Sequence, residues 1–336
     1  MTRRDACAIN AEYLAPAALS RGRVRDREAR SYIIYAMYPA AFDYTIAESV
    51  DHAIDLLQRS GEGAKLLSGG QSLVPLMKLR LVQPTHVIDI GRVAGLSDVG
   101  VDDAAGMVRI GALATHAQMG ASSVVREKLP LMTEAAGVIG DAQVRGWGTL
   151  GGALAEADPA GDWGPVVQAL EGRVECTGPS GARLVDAASF FVDAYTTVLA
   201  DDEVITQLEV PVPSTGSAGA YLKMERRAGD FAVASVAVQL ELDGAGSCTK
   251  AGVALGAAGL TPIKAVAAEE ALCGQPVASE VVDAASERVV EAANPLADVR
   301  GSSDYKRAVC GALFRKAVDI ALRRLQGENV KGGHVR

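Results

Sequence analysis

Residues 64–89 read AKLLSGGQSLVPLMKLRLVQPTHVID, and they restrict the fold more than any other stretch. AKLL suits a short strand, and SGGQS then breaks an otherwise apolar run with two adjacent glycines. Leu73, Leu76, Met77 and Arg80 follow at helical spacing. Ser72 is placed to cap that helix, and Pro75 falls in its first turn, where a missing N–H costs little. Gln83-Pro84 stops the helix, and HVIDI is the next strand. A strand–glycine turn–helix–strand unit points the unpaired N–H groups of a helix start toward the glycines. The glycines then either make an ordinary turn or let converging N–H groups hold an anion.

Glycine pairs alone decide little: 36 glycines in 336 residues give roughly four by chance, and three occur. Context separates two of them. Gly69-Gly70 is flanked by Ser68 and Ser72, Gly151-Gly152 follows Thr149, and each pair stands before a segment that can start a helix. Two such loops can clasp a diphosphate without a lysine, which suits a chain of net charge −8. The same acidic balance argues against a nucleic-acid partner. No GxxxxGK[ST], no GxGxxG leading into a helix and no GxSxG nucleophile elbow is present.

Cys7, Cys176, Cys248, Cys273 and Cys310 form no CxxC, which suits reduced thiols in a cytoplasm and supplies no zinc or iron–sulfur ligand set. His52, His86, His116 and His334 are isolated and read as surface or locally bonded side chains, so no metal site is expected. No run reaches the ~18 apolar residues of a membrane helix, which leaves room only for peripheral membrane association. Arg3-Arg4 lacks the apolar run of an export signal.

Along the chain, residues 1–36 are Arg-rich and unlike the rest; they read as a loosely ordered extension, or as sequence upstream of a start at Met37. Thr45, Ile46 and Ala47 lead into a helix carrying Val50, Ala53, Ile54 and Leu57. VRIGAL, RVECTG and EVITQLEVPVP read as strands, with helices near 126–139 and 164–171. Pro211, Pro213, Ser214, Gly216 and Ser217 mark a linker. Beyond it, the end of AYLKMERRAGDFAVASVAVQLEL and AGVALGAAG read as strands, followed by helices near 264–273, 279–293 and 304–325.

LLSGGQSLVPLMKLRLVQPTHVIDI resembles the first flavin motif of the FAD-binding medium subunits of molybdenum hydroxylases of the carbon monoxide dehydrogenase type, and VRGWGTLGGALAEADPAGDW resembles their second. VRIGALATH, DAASFFVDAYTTVLADDEVITQLEVP, AYLKMERRAGDFAVASVAV and RGSSDYKRAV match in order, so the resemblance spans about 37–325. It implies an α+β chain: a vanillyl-alcohol-oxidase (PCMH)-type FAD-binding domain over 37–213, made of two α/β subdomains (about 37–92 and 93–213). A sheet-and-helix domain over 218–326 and a tail at 327–336 complete it. It also implies an electron-transferring oxidoreductase subunit, itself without catalytic acid or base. Its partners would be a large molybdopterin-Mo subunit and a small subunit with two [2Fe–2S] clusters, in a cytoplasmic dimer of heterotrimers.

By the same resemblance, Leu66, Leu67, Ser68, Gly69, Gly70, Gln71, Ser72 and Leu73 form one FAD-phosphate loop, and Thr149, Leu150, Gly151, Gly152 and Ala153 the other. Asp162 corresponds to a residue bonding the adenosine portion, and Ile205 and Lys223 to positions beside the isoalloxazine ring. Read from the residues alone, Asp162 could equally cap a helix, and Lys223 could belong to a solvated turn with Glu225, Arg226, Arg227 and Asp230. Ala153 offers only its N–H where the family often has a polar side chain, and Trp147 replaces a common arginine, with core packing the expected fate. A self-contained flavin oxidase or reductase, and a non-catalytic nucleotide-binding scaffold of the same fold, are the alternative functions.

Overall fold

The computed structural model describes residues 38–335; the reading of 1–36 as an extension lies outside them. Among the described residues, three larger sheets follow one another along the chain, with one two-stranded sheet beside them. In the first, β1 (Asp43–Ile46), α1 (Val50–Ser60), β2 (Ala64–Leu67), α2 (Leu73–Lys78) and β3 (His86–Asp89) build a parallel sheet of order β1-β3-β2. Ser49 caps α1 by accepting from the His52 N–H, and Ala53, Ile54 and Leu57 are its buried face, as the spacing requires. The helix begins later than the sequence suggests, because Thr45 and Ile46 belong to β1. That edge strand is largely exposed and gives no alternating pattern.

The second unit contains β4 (Val99–Asp102), β5 (Met107–Gly111), α3 (His116–Ala121), α4 (Ser123–Lys128), α5 (Pro130–Val138), α6 (Ala142–Trp147), α7 (Leu150–Glu156) and α8 (Trp163–Ala169). It continues with β6 (Arg173–Gly178), β7 (Gly181–Asp186), α9 (Ala187–Phe190), the short pair β8 (Phe191–Asp193) and β9 (Thr196–Thr197), and β10 (Val204–Pro211). Its five-stranded antiparallel sheet has the order β4-β5-β10-β6-β7. The single helix expected near 126–139 is two, divided at Leu129 because Pro130 opens α5 and cannot continue α4.

The third unit comprises β11 (Ser217–Met224), β12 (Ala234–Leu242), β13 (Cys248–Gly256), β14 (Ile263–Lys264), α10 (Val266–Leu272), α11 (Ser279–Ala292), α12 (Ser303–Leu325) and β15 (Gly333–Val335). The sheet runs β14-β13-β12-β11-β15, and only its last pair is parallel. Ser302 caps α12, whose Val309, Leu313, Phe314, Ala317 and Ile320 pack on the β11–β12 face. Truncating a buried phenylalanine such as Phe314 costs about 3–5 kcal/mol, so this helix anchors the unit. The core of the second unit reaches across to Tyr221, Ala237 and Ala254, with Trp163 and Val166 of α8 between the two sheets. The second and third units therefore share packing. Among the described residues, no helix is long and apolar enough to cross a membrane.

Candidate functional site

Between β2 and α2 the chain turns through Ser68–Ser72 at the carboxyl end of the parallel strands, the end at which open α/β sheets leave a crevice. Gly70 has φ +70°, a left-handed conformation that only glycine adopts without strain. Among the described residues, no protein acceptor takes the backbone N–H of Ser68, Gly69, Gly70, Gln71 or Ser72. Five successive free donors, on a turn half-buried at Ser68–Gly70 and exposed at Gln71 and Ser72, are a ready-made anion cradle. Two details differ from the sequence reading. Ser72 is itself helical and makes no capping bond. The helix ends at Lys78, before Gln83-Pro84, because Arg80 already turns left-handed at φ +57°.

The second loop is built differently. Gly151 and Gly152 do not precede their helix; they form its first turn, capped by Thr149, whose Oγ1 accepts from the Gly152 N–H at 3.1 Å. Its approach is fixed by the 111–116 segment: the His116 N–H donates to Gly148 O, the Leu150 N–H to Ala114 O and the Gly151 N–H to Ala112 O. Ala112 in turn donates to Thr206 O beside Ile205, which is buried at a bulge in β10. The Ala153 N–H donates to Thr149 O, so it is already spent within the helix rather than free. The two loops are thus unequal: the first supplies open donors, the second a rigid wall.

Although 81 residues apart, the loops touch through Ser68 and Thr149, whose hydroxyls are 3.1 Å apart with Thr149 donating. The Gln71 side chain donates to Gln143 O at 3.2 Å. The glycines make this contact possible. A Cβ on Gly69 would lie 2.7 Å from the Trp147 carbonyl carbon and 2.9 Å from Gly148 Cα, and one on Gly152 would lie 2.7 Å from Ser68 Oγ. Trp147 itself does not pack in the core as expected; it is 69% exposed at the rim of this junction. The helix-end turn that carries it must leave its backbone against Gly69, which directs the indole outward.

Beneath the second loop, His116 is buried and its Nδ1 accepts from the Trp163 indole N–H at 3.0 Å. The ring proton therefore sits on Nε2, facing Gly148. Burial, with a smaller contribution from the Arg145 charge, lowers its pKa to about 4, so the imidazole is neutral near pH 7.

Asp162 and Lys223 meet one another. Lys223 is 1% exposed and its Nζ donates to Asp162 Oδ2 at 3.1 Å and to Val138 O at 3.3 Å. The Tyr221 hydroxyl donates to Asp162 Oδ1 at 2.6 Å. The reading of Lys223 as part of a solvated turn is therefore overturned: alternation along β11 turns Tyr221 and Lys223 to the same inner face. Asp162 stands at the start of α8 but makes no capping bond. Burial raises its pKa, a push opposed by the Lys223 charge and by the hydrogen bonds from Tyr221 and Lys223. Glu225 joins this cluster with Oε2 3.8 Å from Lys223 Nζ. The sequence reading overlooked Tyr221, Glu225 and His116 as site residues. The i, i+2, i+4 spacing of Tyr221, Lys223 and Glu225 was the available signal. Among the described residues, no group of three His, Cys, Asp or Glu side chains could hold a metal ion.

Comparison with known proteins covers most of the described chain. Residues 40–213 match the family described as the FAD binding domain in molybdopterin dehydrogenase, and residues 219–321 the CO dehydrogenase flavoprotein C-terminal domain. The sequence is 37% identical over 291 residues to the carbon monoxide dehydrogenase medium chain of Afipia carboxidovorans, covering 86% of this chain and 99% of that one. It is 38% identical to the glyceraldehyde dehydrogenase medium chain of Sulfolobus acidocaldarius, over 84% of this chain and 98% of that one. The structure matches that of carbon monoxide dehydrogenase from Hydrogenophaga pseudoflava lacking the Mo-pyranopterin moiety, with a TM-score of 0.84 at 39% identity, covering 86% and 99% of the two chains.

Proposed function

The chain belongs to the FAD-binding family of molybdopterin dehydrogenase subunits, and on that premise we propose that it is the electron-transfer subunit of a heteromeric molybdenum hydroxylase. Its relatives are medium chains of multi-subunit dehydrogenases. A large molybdopterin-Mo subunit and a small subunit with two [2Fe–2S] clusters are the proposed partners, in a cytoplasmic dimer of heterotrimers. The proposed division of the chain is an FAD-binding domain over 37–213 and a C-terminal domain over 218–326.

The observation that carries this reading is the row of open N–H donors from Ser68 to Ser72, set against the capped start of α7. These donors suit the diphosphate of FAD: the turn offers open backbone N–H groups beside the Ser68 and Ser72 hydroxyls, and the helix start behind Thr149 adds a partial positive charge. Leu66–Leu73 and Thr149–Ala153 would grip the diphosphate, with the Ser68–Thr149 contact fixing the width between them. Ile205, buried behind Ala112, would back the ring system, and Asp162 would act by holding Lys223 in place beside it rather than by reaching the adenosine portion. When bound, FAD supplies the step between the one-electron chemistry of clusters and an external acceptor. The Lys223 ammonium would stabilise negative charge gained on reduction.

The test uses the purified full chain reconstituted with FAD. It should show flavin absorbance near about 370 and 450 nm without iron–sulfur absorbance. Lys223→Met should retain the flavin at a lower reduction potential. A chain that stays colourless with excess FAD, or a variant with an unaltered potential, would refute the corresponding assignment.

A further inference from the structure

The last strand, β15, lies beyond the matched C-terminal domain, which ends at residue 321. It is firmly docked. Gly333, His334 and Val335 pair in parallel with Leu222, Lys223 and Met224, and the Gly332 N–H donates to Glu134 Oε1 at 2.6 Å. Glu134 also accepts from the Tyr221 N–H at 2.8 Å and from Arg324 at 2.7 Å, so one carboxylate ties β15, β11 and α12 together. The docking places the His334 imidazole, 39% exposed, with Nδ1 2.7 Å from Oε1 of the buried Glu225.

Two buried carboxylates, Asp162 and Glu225, thus face a single ammonium. Lys223 Nζ bonds Asp162 at 3.1 Å but stands 3.8 Å from Glu225 Oε2, beyond hydrogen-bond reach, and that oxygen has no hydrogen-bond partner. A buried carboxylate this close to an ammonium would ordinarily draw it in. The other oxygen of Glu225, Oε1, stands 2.7 Å from His334 Nδ1, an ion-pair contact from outside the shared domain that draws the carboxylate away from Lys223.

We propose that His334 and Glu225 are positioning residues, and that the β15 strap satisfies Glu225 so that Lys223 stays on Asp162. The contact between His334 and Glu225 is an ion pair when His334 is protonated. The consequence for the flavin rests on the function proposed above; the placement of Lys223 does not, and the two are tested separately.

The first measurement is the crystal structure of the full chain carrying His334→Ala. The Lys223–Glu225 separation should fall from 3.8 Å to hydrogen-bonding distance, and the Lys223–Asp162 contact should open beyond 3.5 Å. His334→Gln, which keeps a donor near Glu225, should restore the parent geometry. So should Glu225→Gln added to His334→Ala, since it removes the competing charge. A role confined to docking the strand predicts the opposite, because the second substitution would then repair nothing. Lys223 unmoved in His334→Ala, or a double variant that fails to return it to Asp162, would overturn the proposal. The second measurement is the midpoint potential of the FAD-loaded chain. It should shift in His334→Ala and return in the double variant. A displaced Lys223 with an unshifted potential would refute the flavin role of Lys223 and leave the strap intact.

Discussion

Gly69→Ala tests how the two loops are joined. The added Cβ would lie 2.7 Å from the Trp147 carbonyl carbon and 2.9 Å from Gly148 Cα. Carbon atoms in ordinary contact are about 3.5–4 Å apart, and both neighbours are backbone. The loops must therefore part by about 1 Å to restore that contact distance. The Ser68–Thr149 bond at 3.1 Å and the Gln71–Gln143 bond at 3.2 Å would then both exceed bonding range. Two lost hydrogen bonds at about 0.5–1.5 kcal/mol each, with about 1–3 kcal/mol of overpacking, place the total near 2–6 kcal/mol. Even half of the lower figure, spent on the gap that FAD must fill, weakens binding about fivefold, and the middle of the range exceeds tenfold. The assay is titration of the FAD-free chain with FAD, followed by quenching of flavin fluorescence, beside a denaturant melt without FAD. Gly70→Ala is the control. Its Cβ meets only the ends of Leu67 and Val74, at 3.1 Å, and its cost is the left-handed backbone, about 1–2 kcal/mol. Gly69→Ala binding FAD as tightly as the parent, or less impaired than Gly70→Ala, would refute the close-approach argument.

Two further outcomes follow from the same junction. Thr149→Val removes both the cap of α7 and the bond to Ser68; it should cost about 1–3 kcal/mol in urea unfolding, while Thr149→Ser should remain near the parent. Equal midpoints for Val and Ser would show that the hydroxyl does not join the loops. His116 predicts an acid dependence: its folded pKa of about 4 lies below the ordinary 6.5 because burial disfavours the charged ring. The unfolded chain thus takes up this proton first as pH falls. The stabilisation is complete above pH 6.5 and is lost on the way down to pH 4, a change of about 3 kcal/mol. His116→Asn, which can still accept from Trp163, should flatten stability between pH 6.5 and 4 in denaturant titrations. Parallel pH profiles for the two proteins would refute the buried neutral assignment.

Local chemistry made much of this chain legible without coordinates. AKLL, SGGQS and HVID give β2, the open turn and β3, and RVECTG is β6 from end to end, because period and glycine placement act within a few residues. The elements missed are those whose reason lies elsewhere in the chain. DYTI forms a strand because β3 is beside it, although three of its four residues are exposed. In AYLKM the lysine looks out of place for a buried strand until Asp162, 61 residues earlier, is seen to hold it. GGHV carries no period at all and is a strand only because β11 offers an edge and Glu134 an acceptor. The sequence by itself determined which residues could serve as donors, glycines and caps. Tertiary structure alone decided which N–H groups remain unpaired, which glycine faces another loop, and which of two carboxylates holds the lysine. Those outcomes depend on contacts between residues far apart in the chain, and local periodicity carries no record of such contacts.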